Sequence, residues 1–211
     1  MLTLLHTADA HVETFDSLRD RIAPDARLHH LVRPDFLSRA GQNDPALADD
    51  IATTITAAIT ATNGPVICTC TTIADFAEAA GATRIDRPMM ARAAAIGGPV
   101  LLVYCLQSTA ETSQTALKQA LDSAGKTTGA TAAITPLFLP QYWPFFTGGE
   151  PDEFHAMLAA AITASAQKNP PACIVLAQAS MAGAGAKLAH LDLPVLSSPE
   201  LALRSGLGLP A

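Results

Sequence analysis

Cys70 and the hydroxyl residues that follow it are the part of this chain whose types and spacing most clearly suggest chemistry. Residues 66–70 read Val-Ile-Cys-Thr-Cys, Thr71 and Thr72 come next, and a helix-like stretch over 74–80 begins soon after. In a parallel α/β sheet this order places Cys70 at the carboxyl end of a buried strand and the two threonines at a helix N-terminus, where backbone N–H groups favour anions. A thiol at such a position is a candidate thiolate base or nucleophile, and a buried structural cysteine is the alternative.

The composition argues against several classes of partner. Of the 211 residues, 49% are hydrophobic and 15% charged, so we expect a sizeable core and no extensive disorder. The net charge is −6 and the thirteen Lys and Arg residues form no run, which disfavours nucleic acid and anionic membranes. No apolar stretch approaches the roughly 20 residues of a membrane span, and the first residues lack the basic region of a signal peptide. We therefore expect a cytoplasmic protein, and homo-oligomer formation stays open.

The cysteines and histidines do not predict a disulfide framework or a metal site. Cys68, Cys70, Cys105 and Cys173 all lie in apolar, strand-like surroundings, which is typical of reduced thiols. Cys68 and Cys70 lack a second ligand pair, and the adjacent histidines at 29–30 lack a third ligand.

Strand-like and helix-like segments alternate along the whole chain. The predicted strands are 2–6, 27–32, 64–70, 99–106, 131–138, 172–178 and 193–197, and the predicted helices are 12–22, 45–62, 72–81, 89–96, 109–124, 152–168, 180–189 and 199–206. Residues 136–149 contain aromatics, prolines and glycines and are predicted to form a loop. The alternation predicts parallel sheets with helices on both faces, and the break at 97–99 separates an N-lobe from a C-lobe.

Three motifs resemble the aspartate/glutamate racemase superfamily, which includes cofactor-independent amino-acid racemases, hydantoin racemases, maleate isomerase and arylmalonate decarboxylase. They are 67–72 (ICTCTT), 103–109 (VYCLQST) and 175–182 (VLAQASMA). Residues 84–89 (RIDRPM) and 194–199 (PVLSSP) also resemble uncharacterised relatives.

The resemblance implies two similar Rossmann-like lobes, 1–97 and 98–198, each with a four-stranded parallel sheet, and an active-site cleft between them. It also implies that a C-terminal helix within 199–211 packs back on the N-lobe. In that superfamily two cysteines remove and return the α-proton of a small carboxylate, without a cofactor. Carried over, this makes Cys70 the catalytic thiol and the hydroxyls at Thr71, Thr72, Ser108 and Thr109 the carboxylate ligands.

Further candidate residues come from the same resemblance. Thr7 and Asp9 follow the first strand, where relatives carry active-site polar residues, and Ser180 lies in the C-lobe motif. Gln178 stands where the second cysteine belongs, and an amide can donate to a carboxylate but cannot act as acid or base near neutral pH. Cys105 is the candidate replacement thiol, with a buried core thiol as the alternative.

Three polar residues outside the motifs receive plainer interpretations. His6 is expected only to cap the first strand and His11 to lie at the surface. Asp86 either orients an active-site group or caps a turn before a proline.

The sequence thus predicts a cofactor-independent enzyme on a small carboxylate or amino-acid-like substrate. Cys70 would transfer a proton at the α-carbon in a racemase, isomerase or decarboxylase reaction, although two-base racemisation is in doubt because of Gln178. The alternative is a non-catalytic carboxylate-binding protein that has lost the second cysteine.

Overall fold

Two parallel β-sheets flanked by helices form the frame of the protein. The computed structural model describes residues 1–128 and 132–210. Within them the strands are β1 (Leu2–His6), β2 (Leu28–Val32), β3 (Val66–Cys68), β4 (Thr83–Arg84), β5 (Val100–Tyr104), β6 (Ile134–Phe138), β7 (Cys173–Leu176) and β8 (Val195–Ser197). Their orders are β2-β1-β3-β4 and β6-β5-β7-β8, and every pairing is parallel. The predicted α/β class with two four-stranded sheets is therefore confirmed.

Helices connect the strands, as parallel pairing requires. They are α1 (Ala10–Ile22), α2 (Pro34–Gly41), α3 (Leu47–Thr62), α4 (Ala74–Ala79), α5 (Arg87–Ile96), α6 (Gln107–Thr128), α7 (Trp143–Thr147), α8 (Pro151–Lys168), α9 (Ala184–Lys187) and α10 (Ser198–Gly206). Short 3₁₀ turns cover Thr71–Ile73, Pro140–Tyr142, Ala179–Met181 and Ala189–Leu191.

The central strands β1 and β5 are buried along their whole length, as is usual where helices cover both faces of a sheet. All five residues of β1 and all five of β5 are buried, whereas the edge strand β2 is half-buried throughout. In the first sheet Leu5 and Cys68 pack with residues of α2 and α3, including Phe36, Ile51 and Ile55. In the second sheet, Val103 and Leu176 pack with Phe154, Leu158 and Ile162 of α8. The strands end at the boundary of these two cores, and the polar residues of the predicted site come directly after the carboxyl ends of the strands.

The chain divides into two units. The N-unit comprises Met1–Arg87 and Pro199–Ala211, and the C-unit comprises Pro88–Ser198. Helix α10 packs on the N-unit sheet, since a Cβ at Gly206 would lie 2.6 Å from Ile67 Cδ1. Residues 88–97, assigned to the N-lobe from sequence, fall in the C-unit.

Several elements differ from the sequence prediction. Strand β4 and helix α2 were not predicted, and residues 140–147 form short helical turns instead of a loop. The strand predicted over 64–70 ends at Cys68, and the helix predicted over 72–81 begins as a 3₁₀ turn at Thr71. The helix predicted over 180–189 is broken into turns and α9, in a stretch where Gly183 and Gly185 lower helix propensity. Residues 131 and 211 of the predicted segments lie outside the described residues.

Candidate functional site

The two sheets repeat the same backbone register, which identifies equivalent positions in the two units. Leu5 pairs with Cys68 in the N-unit sheet, as Val103 pairs with Leu176 in the C-unit sheet. Beyond these pairs, the Thr69 N–H donates to Leu5 O and the Ala177 N–H donates to Val103 O, both at 2.9 Å. Counting one residue further makes Cys70 the N-unit equivalent of Gln178.

Cys70 and Gln178 also share their backbone conformation. Cys70 has φ −109° and ψ 115°, and Gln178 has φ −117° and ψ 138°. Each extended residue leads directly into a three-residue 3₁₀ turn, Thr71–Ile73 or Ala179–Met181. The third residue of each turn, Ile73 or Met181, is fully buried and anchors the turn to its core. The fold therefore holds both side chains at the carboxyl edge of a sheet.

Cys70 differs from the other three cysteines in exposure. Cys70 is half-buried, whereas Cys68, Cys105 and Cys173 are buried. Burial raises the pKa of the Cys68 thiol well above its ordinary value, that of Cys105 to about 12 and that of Cys173 to about 11. Cys105 is therefore poorly suited to act as the second thiol. Cys173 begins β7, at the opposite end of the strand from Gln178.

The predicted N-unit hydroxyls lie at the same sheet edge as Cys70. Thr7 follows the end of β1, and β1 is the parallel neighbour of β3. Thr7 and Thr71 are buried, and Thr72 is half-buried. Asp9 is exposed at the start of α1 and makes no capping bond to it.

The predicted C-unit residues lie at the carboxyl edge of the second sheet. Thr109 is buried and Ser108 is exposed in the first turn of α6. Ser180 Oγ is buried, with no hydrogen-bond partner among the described residues. His155 of α8 donates its Nε2–H to the Ser180 carbonyl oxygen at 2.8 Å and so holds this turn.

The side-chain amide oxygen of Gln178 accepts hydrogen bonds from two backbone N–H groups. Gln178 Oε1 accepts the Cys105 N–H at 2.6 Å and the Leu106 N–H at 3.1 Å. Because both partners are N–H donors, the atom between them must be the amide oxygen, which fixes the orientation of the amide. These contacts span more than 70 residues of sequence, and no local pattern predicts them.

A chain of hydrogen bonds that runs from the buried core toward the surface begins at Thr69, the residue before Cys70. His6 Nδ1 is 2.8 Å from Thr69 Oγ1, and His6 Nε2 is 2.8 Å from His30 Nδ1. His30 Nε2 in turn lies 3.4 Å from Asp16 Oδ1. His6 is fully buried, so the expectation that it only caps the strand was wrong. The parallel register of β1 and β2 brings the two rings to one face, a signal that appears only once the strands are paired.

Burial favours the neutral form of His6. Burial, together with the neighbouring His11 and His30, lowers the pKa of His6 to about 3. His11 is itself half-buried rather than a surface residue, and burial lowers its pKa. A neutral His6 accepts at one ring nitrogen and donates at the other, which satisfies both of its contacts.

A buried ion pair fixes the last strand of the N-unit. Arg84 donates from Nε to Asp86 Oδ1 at 2.9 Å and from Nη2 to Oδ2 at 2.8 Å, and Arg84 Nη1 also contacts Asp75 of α4. Burial opposes the charge on Arg84, but the bonds and charge of Asp86 raise its pKa overall. The backbone of Cys68 pairs with Arg84, so this ion pair braces the strand that precedes Cys70. Asp86 is therefore a partner of Arg84, which the sequence did not reveal.

A surface groove lies elsewhere in the described part of the chain. A groove of about 370 Å³ along α6 and the start of β6 contains none of the predicted site residues. No group of three or more His, Cys, Asp or Glu side chains within 1–128 and 132–210 could hold a metal ion. None of the helices in these ranges is both long enough and apolar enough to cross a membrane.

Comparison with solved structures identifies the fold. An aspartate racemase homologue from Pyrococcus horikoshii matches with a TM-score of 0.71 at 11% identity, covering 98% of this chain and 97% of its own. Allantoin racemase from Klebsiella pneumoniae gives 0.65 at 16%, covering 99% and 88%. Glutamate racemase from Francisella tularensis, solved with D-glutamate, gives 0.67 at 9%, covering 98% and 79%. The chain has the aspartate/glutamate racemase fold.

The racemase fold is evident in the structure but not in overall sequence similarity. No protein-family model and no curated protein sequence matches the chain. The resemblance predicted from the three motifs is confirmed for the fold. At 9–16% identity these comparisons show the fold, and they do not assign roles to individual residues of this chain.

Proposed function

We propose that this protein is a cofactor-independent, racemase-like enzyme in which Cys70 transfers a proton at the carbon next to the carboxylate of a small substrate. The carrying observation is that Cys70 is the half-buried cysteine at the carboxyl end of β3, while the other three are buried. The racemase fold supports the reaction class.

The hydroxyls around Cys70 suit the charge that such a reaction develops. Removal of the α-proton by the Cys70 thiolate leaves an aci-carboxylate, whose oxygens need hydrogen-bond donors in a site shielded from water. Thr71 and Thr72 follow Cys70 directly, and Thr7 follows the end of the neighbouring strand β1. We assign these threonines to the substrate carboxylate. The ion pair between Arg84 and Asp86 positions the strand, and neither residue is an acid or base in this mechanism.

The position of Gln178 limits the reaction to one base. Its amide cannot exchange a proton near neutral pH, and its oxygen is held by two backbone N–H groups. The buried Cys105, with a pKa raised to about 12, is a poor substitute base. The proposed enzyme therefore exchanges the α-proton of a substrate more readily than it inverts the centre.

A non-catalytic carboxylate-binding protein is the second candidate. The observation that favours it is the same Gln178, an amide at the position equivalent to Cys70. Such a protein would keep the threonine hydroxyls as ligands and use no thiol chemistry.

Hydrogen exchange in D₂O distinguishes the two functions. Wild type is incubated with a panel of amino acids, hydantoins and other small carboxylates, and deuterium at the α-carbon is followed by NMR. We expect incorporation to fall about 10²–10⁴-fold in Cys70→Ser, the usual contribution of a general acid–base group. The control Cys173→Ser, at the other end of a strand, should keep the wild-type rate. Ligand binding without exchange, unchanged in Cys70→Ser, would establish the binding protein instead.

A further inference from the structure

Thr69, His6, His30 and Asp16 form one continuous hydrogen-bond chain within the N-unit. Thr69 Oγ1 lies 2.8 Å from His6 Nδ1, and His6 Nε2 lies 2.8 Å from His30 Nδ1. His30 Nε2 lies 3.4 Å from Asp16 Oδ1. Thr69 is only 4% exposed, whereas the Asp16 side chain is 39% exposed. The hydrogen-bond chain therefore joins the residue before Cys70 to the surface of α1.

When both imidazoles are neutral, the Asp16 carboxylate sets the direction of every bond in the hydrogen-bond chain. A carboxylate only accepts, so His30 donates its Nε2–H to Asp16 and must accept at Nδ1. His6 then donates its Nε2–H to His30 and accepts the Thr69 hydroxyl proton at Nδ1. The neutral hydrogen-bond chain therefore points from Thr69 toward the surface, with His6 in the Nε2–H tautomer.

Protonation of His30 reverses the inner part of the hydrogen-bond chain. An imidazolium donates from both ring nitrogens, so the Nδ1–H of a charged His30 requires an acceptor at His6 Nε2. A neutral His6 must then carry its proton on Nδ1 and donate it to Thr69 Oγ1. Thr69 has a second acceptor for its own hydroxyl proton, the Leu5 carbonyl oxygen at 3.1 Å. Every donor of the hydrogen-bond chain thus keeps an acceptor in both directions.

The surrounding charges favour an added proton on His30 over one on His6. His30 faces the Asp16 carboxylate, which also binds Arg19 Nη2 at 3.2 Å. His6 is fully buried and faces His11, with 6.1 Å between the ring centroids. In the described contacts, α1 brings no other titratable or charged side chain to the hydrogen-bond chain. Burial and the neighbouring rings lower the pKa of His6 to about 3, so His6 stays neutral where histidines usually titrate.

We propose that Thr69, His6 and His30 form a reversible hydrogen-bond switch, in which protonation of His30 moves the His6 proton from Nε2 to Nδ1 and turns the Thr69 hydroxyl toward Leu5. His30 gains one proton from water, while His6 and Thr69 each keep one. A change of pH at the surface thereby reaches the residue before Cys70 without placing a charge in the core. The switch operates whether or not Cys70 is catalytic, so it is independent of the proposed function.

NMR of the imidazole nitrogens tests the switch directly. Two-bond ¹H–¹⁵N correlation spectra of the ¹⁵N-labelled protein show which ring nitrogen carries a proton, and they are recorded from about pH 8 to about pH 5, where histidine charge usually changes. As His30 becomes charged, His6 should stay neutral and change from the Nε2–H to the Nδ1–H tautomer. The Thr69 backbone amide signal should move with the same midpoint, because its acceptor, Leu5 O, gains a second donor.

Two variants of neighbouring histidines on β2 assign the switch to His30. His30→Gln keeps a hydrogen-bonding side chain beside His6 but removes the titrating ring, so neither the His6 tautomer nor the Thr69 signal should change with pH. His29→Gln is the matched control, because adjacent side chains of a strand lie on opposite faces, and it should keep both changes.

The wild-type spectra alone can overturn the switch, even if His30→Gln fails to fold. It is overturned if His30 remains neutral at about pH 5, if His6 keeps one tautomer while His30 becomes charged, or if His6 itself becomes charged. A Thr69 amide signal that does not follow the His6 tautomer also overturns it. In the variants, a tautomer change that persists in His30→Gln or disappears in His29→Gln has the same consequence.

Discussion

The carboxyl edges of the two sheets share one backbone frame but carry very different side chains. Register places four pairs of residues at equivalent positions: His6 and Tyr104, Thr69 and Ala177, Cys70 and Gln178, and Arg84 and Ser197. The N-unit members are the thiol of Cys70, the hydrogen-bonded pair His6 and Thr69, and the ion-paired Arg84, whereas the C-unit members are a tyrosine, an alanine, a glutamine and a serine. The comparison suggests that the frame and its chemistry vary independently, since identical strand registers support both edges.

The N-unit edge is also the more costly one to build. It contains buried charges in Arg84 and Asp86 and a buried histidine, His6, all of which lose hydration on folding. The C-unit edge satisfies its backbone donors with one amide. If the difference is functional, perturbing each edge should have unequal consequences.

Breaking the buried ion pair is expected to have the largest effect on stability. Asp86→Asn leaves the Arg84 guanidinium 3% exposed and without its bidentate partner. Breaking a buried ion pair costs about 3–5 kcal/mol, and because Asp75 still contacts Nη1 of Arg84, the free energy of unfolding in urea should fall by an amount up to this range. Asp75→Asn is the control, because the Asp75 carboxylate is 73% exposed and its loss should change stability by less than about 1 kcal/mol. Equal losses in the two variants would mean that Asp86 is not the main partner of Arg84.

The rate of thiol labelling is expected to show the second-largest difference between the two edges. Iodoacetamide should label Cys70 on the N-unit edge at least about 100-fold faster than Cys105 on the C-unit edge, because Cys105 is buried and its pKa is raised to about 12. Mass spectrometry of peptides from protein labelled under native conditions measures both rates. Labelling in urea, where both thiols are exposed, provides the control. Comparable native rates would revive Cys105 as a second thiol.

Much of this frame could be predicted from sequence because its strands are apolar runs bounded by polar or turn residues. The predicted strand 2–6 coincides with β1, and the strand predicted to end at Cys70 ends two residues earlier, at Cys68. Strand β4 could not be predicted, because two residues, Thr83 and Arg84, show no periodicity and one of them is charged. Its position depends on pairing with β3 and on Asp86.

The side-chain chemistry of the edges was harder to predict because it depends on long-range contacts. His6 meets His30 across 24 residues, and Gln178 meets Cys105 across 73. Each partner alone is an ordinary polar residue near an apolar run. Only parallel pairing of the strands brings such partners together, so local pattern could identify Cys70 but not the network beside it.

Packing around the C-unit turn provides a smaller test of that edge. A Cβ at Gly183 would lie 2.4 Å from His155 Cε1, so Gly183→Ala should displace the ring and weaken its bond to the Ser180 carbonyl oxygen. Overpacking of this kind costs about 1–3 kcal/mol, measured by urea unfolding. Gly185→Ala is the matched control, because nothing lies within 4 Å of its Cβ, and it should be neutral or stabilising. If Gly183→Ala leaves the free energy of unfolding unchanged, His155 does not brace the turn.

The pH dependence of stability should report the N-unit histidine chain. Folding lowers the pKa of His6 from 6.5 to about 3, so the unfolded chain binds more protons between these values and stability must fall as the pH drops through that window. From pH 6.5 to 5.5 this one group contributes a loss of about 1 kcal/mol, and His11, whose pKa is also lowered, adds a loss of the same sign.

His6→Gln removes the titrating ring, so its urea-unfolding stability should change less between these two pH values than that of wild type. The remaining slope then reports His11, whose pKa is also lowered by burial. His190→Gln, on the exposed surface of the C-unit, should keep the wild-type slope. If His6→Gln keeps it as well, His6 is not the group that couples the N-unit edge to pH.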